Sequence, residues 1–214
     1  MRINQYVAKA SGLSRRAADK AIESGQVLVN GRLAETGYNV QNDDVVTFNY
    51  QPLKLKPTLT IIFNKPIGYI CSRNGQGSQT IYDLLPAKYH NLKPVGRLDK
   101  DSSGLLVLTN DGELANQLTH PSFQKEKIYE VKLNKTLTTG DQTQIFEGVK
   151  LHDGLSSLRL QGVDKNWKVT MSEGRNRQIR RTFDALGYTV VKLHRIKFGD
   201  YQLRSLAKGK TKEI

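Results

Sequence analysis

One short run does most to limit what this chain can fold into. Gly104 and Asn110 bracket Leu105-Leu106-Val107-Leu108-Thr109, an uninterrupted apolar stretch of strand length. A run that short, bounded by turn residues, suits a central strand covered on both faces. Just ahead of it lies the polar segment Gly96-Arg97-Leu98-Asp99-Lys100-Asp101-Ser102-Ser103. The chain therefore places a carboxylate, Asp99, in a turn at the edge of a core. Asp101 is the neighbouring alternative, and its other use is to cap the turn through Ser102 and Ser103.

The rest of the larger, C-terminal portion follows the same α/β logic. Leu59 to Asn64 reads as a strand ended by Lys65-Pro66, because proline cannot donate to a ladder. Asp111 is placed to cap a helix over Gly112–Thr119, with Leu114, Ala115 and Leu118 on one face. In Ile128–Leu133, Tyr129, Val131 and Leu133 alternate onto one face, as do Trp167, Val169 and Met171. A helix is expected from about Asn176 to Leu186, stopped by Gly187, and a strand region from Val190. The fold class expected is α+β: a mainly antiparallel, mixed sheet flanked by helices over residues 59–214. No glycine-rich loop has the spacing of a doubly wound nucleotide fold.

The first fifty residues read as a separate small module. Ile3, Tyr6, Val7 and Ala10 recur at helical spacing up to Gly12. Ser14 is a good N-cap for Arg15 to Ser24, with Gly25 just past the end. Ala18, Ala21 and Ile22 then face inward, and Arg15, Arg16 and Lys20 face out. Val27–Val29, the Asn30-Gly31 turn pair and Val45–Phe48 imply a small sheet. Residues 51–58, with Pro52 and Pro57, are expected to be a partly extended linker.

Charge points to the partner. The 214 residues carry 33 Lys and Arg against 20 Asp and Glu, a net charge of +13. That balance favours nucleic acid or an anionic membrane. No apolar run approaches the roughly 20 residues of a spanning helix, and no signal-peptide core opens the chain. Nucleic acid is the better reading, with the cytoplasm as the expected location. Cys71 is the single cysteine, and the four histidines stand at no metal-ligand spacing, so no metal is expected.

Two resemblances sharpen this. Arg2-Ile3-Asn4-Gln5-Tyr6-Val7, Ser14-Arg15-Arg16-Ala17-Ala18 and Gly25–Gly31 resemble the S4-type RNA-binding domain. That implies an RNA anchor using Arg2, Arg15, Arg16 and Lys20. Gly96-Arg97-Leu98-Asp99, Ser103-Gly104-Leu105-Leu106 and Thr109-Asn110-Asp111-Gly112 resemble the catalytic motif of pseudouridine synthases. Lys127-Ile128-Tyr129-Glu130-Val131 and Glu173-Gly174-Arg175-Asn176-Arg177-Gln178-Ile179-Arg180-Arg181 match two further motifs, and Lys65-Pro66-Ile67-Gly68 resembles a structural one. With an S4-like domain in front, the whole chain resembles the bacterial ribosomal RNA pseudouridine synthases of the RsuA/RluB type.

The resemblance implies isomerisation of uridine to pseudouridine in ribosomal RNA, the large subunit favoured, without a cofactor. Asp99 would be the nucleophile, Tyr129 the aromatic that stacks on an extruded base, and Arg180 the cation holding Asp99 ionised. Unaided, the residues also allow Tyr129 to be a core tyrosine and Arg180 to pair with Asp184 one turn on. Arg97 is expected to fill the gap left by the base or hold a phosphate. Leu193 is expected to pack against the site, with plain core packing an equal reading. Arg175, Arg177 and Arg181, with Lys192 and Arg195, would line the approach. The expected partner is ribosomal RNA or a pre-ribosomal particle, met by a monomer. The alternatives are a non-catalytic ribosome-assembly factor and a synthase acting on transfer RNA.

Overall fold

The computed structural model describes all residues, Met1–Ile214, and the chain divides into two compact units, Met1–Thr58 and Leu59–Ile214. No helix is long and apolar enough to cross a membrane.

The first unit holds α1 (Ile3–Ser11) and α2 (Arg15–Glu23), then β1 (Val27–Val29), β2 (Arg32–Leu33), β3 (Val46–Phe48) and β4 (Gln51–Pro52). Ser14 accepts the Ala17 amide at 3.1 Å, the capping bond expected of it, and Gly12 ends α1 in the left-handed conformation. Ile3, Val7, Ala18, Ala21, Ile22, Val27 and Val46 form the core. The expected linker begins later than residue 51. Gln51–Pro52 pairs with β3, the Leu53 amide bonds to Val46 O at 2.8 Å, and the Tyr6 hydroxyl donates to Leu53 O at 3.2 Å. Pro52 is tolerated there because β4 is an edge strand.

The second unit is built on β5 (Thr60–Lys65), β6 (Lys93–Val95), β7 (Ser103–Thr109), α3 (Gly112–Thr119) and β8 (Lys127–Leu133). It continues with α4 (Thr139–Glu147), β9 (Val149–Leu151), β10 (Gly154–Ser156), β11 (Arg159–Val163) and β12 (Asn166–Met171). It ends with α5 (Gln178–Asp184), β13 (Val190–Phe198), β14 (Tyr201–Gln202) and β15 (Thr211–Glu213). Nine strands form one sheet in the order β11-β12-β8-β13-β7-β5-β15, with β14 on β13 and β6 on β7. Every pair is antiparallel except β13 with β7, so the sheet is mixed as expected.

Residues Leu105 to Leu108 of β7 are wholly buried because each face of the sheet carries its own core. Leu106 and Leu108 join Phe63, Val131, Ile179 and Phe183 on one side. Leu105 and Val107 join Ile62, Val95, Leu118 and Phe198 on the other. The helices thus lie on opposite faces, α5 with the first cluster and α3 with the second.

One cross-strand row spans four strands of the sheet. Lys65 pairs with Gly104, Gly104 with Arg195, and Arg195 with Tyr129. Directly opposed residues share a face, so these side chains stand in line. Gly104 has φ +104°, and a Cβ there would overlap the Arg195 backbone. Only glycine permits the close approach of β7 and β13 at this point. Gly104→Ala is therefore expected to cost about 3 kcal/mol and lower the melting midpoint of this unit by roughly 6–12 °C. A calorimetric melt beside the parent protein checks it.

Candidate active site

The turn between β6 and β7 carries Asp99, and it is clamped from beneath. Lys65, at the end of β5, is fully buried. Its ammonium donates to three backbone carbonyls: Asp99 O at 3.0 Å, Ser102 O at 2.8 Å and Pro66 O at 3.1 Å. Three donors meet three acceptors, so the buried cation is satisfied without a direct counter-ion. Burial draws its pKa down, and Cys71 with the carboxylates of Asp99 and Asp101 opposes this. Cys71 grips the preceding residue. Its Sγ donates to Leu98 O at 3.4 Å and accepts the Leu98 amide at 3.5 Å, and burial pushes the thiol's pKa up. The Gly68 amide holds Lys100 O at 2.7 Å. The segment 65–71 thus fixes the backbone of residues 98–102, leaving the Asp99 side chain 36% exposed.

That carboxylate opens on a cleft of about 540 Å³. Tyr129, Leu193, Ile179 and Met171 supply apolar walls, and Arg97, Arg175 and Arg177 also line it. Arg97 is exposed and has no carboxylate partner within 4.0 Å. Tyr129 and Leu193 are each under 10% exposed and belong to the core cluster while also lining the cleft.

The cation nearest to Asp99 is not the one expected. Arg180 reaches Asp101 instead: Nε lies 3.3 Å from its Oδ2 without hydrogen-bond alignment, and Nη2 donates to its backbone O at 2.9 Å. Arg180 Nη1 is fixed to Val190 O at 2.8 Å, which ties the guanidinium to β13. No ion pair joins it to Asp184. Arg177 sits in a left-handed turn before α5, φ +47°. From there it chelates both oxygens of Asp101 at 3.0 Å and stands 3.7 Å from Asp99 Oδ2. Asp101 therefore does not cap the turn. Its bonds to Arg177, with the charge of Arg180, hold its pKa below the ordinary carboxylate value.

Two further expected binding residues are committed elsewhere. Arg181 chelates Asp153 at 3.0 and 2.8 Å, also touches His152 and Asn176, and does not line the cleft. Arg175 lines the cleft, but its guanidinium bonds Asp153, Leu155 O and Glu173. Asp153, in the β9–β10 turn, gathers both arginines, and this pulls its pKa down to about 2. In the first unit Arg2, Arg15, Arg16 and Lys20 are all exposed with no carboxylate partner.

Sequence reasoning missed the Lys65 and Cys71 clamps, Asp153, and the depth of Arg195, which is only 2% exposed. A lysine closing a strand with an apolar centre, just before proline, was the one available signal. Asp153 had none, since its bonds come from residues over 20 positions away.

Several known proteins resemble this chain. The family model described as RNA pseudouridylate synthase matches residues 59–185, and the S4 domain matches residues 1–46. A ribosomal large subunit pseudouridine synthase B of Bacillus subtilis is 34% identical over 100% of this chain and 91% of its own length. The protein of that name in Escherichia coli is 33% identical over 100% of this chain and 79% of its own. A solved structure titled as a pseudouridylate synthase superposes with TM-score 0.72 at 33% identity, covering 100% of this chain and 96% of the other.

The Asp153 cluster has a pH signature. Its folded pKa lies below the ordinary 3.8, so its stabilisation is complete above about pH 4 and is lost as pH falls toward about 2. Amide exchange of the β9–β10 turn and the start of α5 is expected to rise over that window. Asp153→Asn should remove the acid step and show the loosened turn already at pH 7.

Proposed function

Because the chain belongs to the RNA pseudouridylate synthase family, we propose that it converts uridine to pseudouridine in bacterial ribosomal RNA, at a large-subunit site, with Asp99 as the nucleophile. The reaction breaks the bond from ribose C1′ to uracil N1 and forms the bond from C1′ to C5. Atoms and electrons balance within the nucleoside, apart from a proton lost at C5 and one gained at N1. A carboxylate at the sugar–base junction can attack the sugar or the ring, or take a sugar proton. The junction is hidden in stacked RNA, so the target base must turn out into the cleft.

The observation that carries this reading is the placement of Asp99. Its backbone is clamped by Lys65, while its carboxylate opens on a cleft walled by Tyr129. The Tyr129 ring would stack on the extruded base, and Leu193 would pack against its edge. Arg177 holds positive charge beside Asp99 and anchors Asp101, and Arg180 fixes the same turn from the helix side. Arg97, exposed and unpaired, would hold a phosphate or fill the vacated place in the RNA. The basic face of α2 would anchor structured RNA through phosphates. The expected substrate is ribosomal RNA, free or in an assembling particle, met in the cytoplasm by a monomer.

The test is pseudouridine mapping of ribosomal RNA from cells lacking the enzyme, incubated with the parent protein or Asp99→Asn. One or few new pseudouridines in large-subunit RNA are expected. Asp99→Asn should lower their rate of formation more than about 1000-fold with RNA affinity retained. Tight binding without any product would leave an assembly factor as the better reading, and product in transfer RNA would move the substrate.

A further inference from the structure

The floor of the cleft holds a cation that the roles above leave unused. Arg195 lies on β13 directly opposite Tyr129 of β8 and lines the cleft. It is only 2% exposed. Its Nε donates to Leu105 O at 2.8 Å, and its guanidinium carbon stands 4.8 Å from the centroid of the Phe198 ring. Nη2 is sealed from solvent and has no hydrogen-bond partner. No carboxylate lies within 4.0 Å of it. Arg175, Arg177, Arg180 and Arg181, all less buried, each have Asp153 or Asp101. Among these five arginines the most deeply buried is thus the one without a counter-ion.

A buried charge left unbalanced costs several kcal/mol. Here a second cation adds to it. Lys127 Nζ lies 5.3 Å from the same Phe198 ring and donates to Glu173 O at 3.2 Å. Burial lowers the Lys127 pKa and the charge of Arg195 lowers it further, against the smaller opposing effect of Glu173. The floor is therefore electropositive and asks for an anion.

Uridine is neutral, and the RNA phosphates follow the backbone, not the base beside Tyr129. The reaction itself makes the anion. When the C1′–N1 bond breaks, its electron pair stays on uracil, spread over O2 and O4. If a carboxylate adds at C6 instead, the pair moves onto C5 and O4. Either route places negative charge on the ring oxygens; the charge is discharged as C5 bonds to C1′ and, on the second route, as the carboxylate leaves, while the proton lost at C5 is matched by the one gained at N1.

We propose that Arg195 is a catalytic residue whose guanidinium stabilises the negative charge that develops on the uracil oxygens during the rearrangement. The unbalanced cation meets its partner only while the bond is broken. That is the differential stabilisation from which rate enhancement comes. Tyr129 and Leu193 hold the ring over the floor, and Phe198 and Leu105 O keep the guanidinium aimed.

This inference rests on the synthase reading, and the test separates the two. Arg195→Gln and Arg195→Lys are compared with the parent protein on RNA carrying uridine or 5-fluorouridine at the target. Single-turnover loss of the N-linked nucleoside is followed by digestion and chromatography, and RNA affinity by filter binding. The parent protein should act on the uridine RNA; if it does not, the synthase reading fails before Arg195 is at issue. Arg195→Gln should slow the uridine reaction about 100- to 1000-fold with affinity within about threefold of the parent. Arg195→Lys should recover at least about tenfold of that. Fluorine disperses the ring anion, so the deficit of either variant should shrink at least about tenfold on 5-fluorouridine. An equal deficit on both substrates, or a loss of affinity as large as the loss of rate, overturns the proposal. Should Arg195→Gln melt below the assay temperature, Arg195→Lys on the two substrates decides alone.

Discussion

The arrangement of this unit depends on one buried ammonium. Lys65 leaves the end of β5 and spends its three protons on Asp99 O, Ser102 O and Pro66 O. Charge-assisted bonds of this kind are about twice as strong as neutral ones. Without the lysine, those carbonyls would lose their partner. The Cys71 bonds to Leu98 and the Gly68 bond to Lys100 add grip along the same turn. A carboxylate on a free loop would sample many positions. Here the backbone is fixed, and the carboxylate alone is left to face the cleft, the condition a reactive group needs.

The row Lys65–Gly104–Arg195–Tyr129 explains how the sheet serves this turn. Four strands far apart in sequence bring a clamp, a gap, a cation and an aromatic to one level. Gly104 supplies the gap, since any side chain there would meet the Arg195 backbone. The arginines of the α5 region divide into two groups around two carboxylates. Arg177 and Arg180 hold Asp101 in the turn. Arg175 and Arg181 hold Asp153 in the β9–β10 hairpin. The sequence Arg-Asn-Arg-Gln-Ile-Arg-Arg is thus largely a frame that pins the start of α5 to the Asp101 turn and to the β9–β10 hairpin. Its positive charge is mostly committed to these carboxylates.

Local order was legible in the sequence because it has local causes. The Ser14 and Asp111 caps, the β7 apolar run and the Tyr129-Val131-Leu133 face all follow from spacing and turn chemistry. So does the carboxylate turn, whereas the places of Arg97 and Leu193 beside it came from the family resemblance. Pairings over long sequence distances were not legible. The resemblance paired Arg180 with Asp99, yet which aspartate it meets depends on where β13 and the turn lie. Arg177 lines the cleft as read, but its grip on Asp101 from a left-handed turn before α5 is not visible in residue type. Gln51–Pro52 was read as linker from its proline, although an edge strand accepts one. Arg195 was read as lining the approach and does line the cleft, but nothing local reveals that Phe198 and β7 close over it.

The most direct measurement is made on Lys65→Met, with amide exchange and single-turnover pseudouridine formation read on the same preparation. Faster exchange confined to Leu98 and Ser102, a rate at least about tenfold lower and unchanged exchange across β7 and β8 are expected if the ammonium positions Asp99. A turn that stays as protected as in the parent protein, with an unchanged rate, would contradict that dependence.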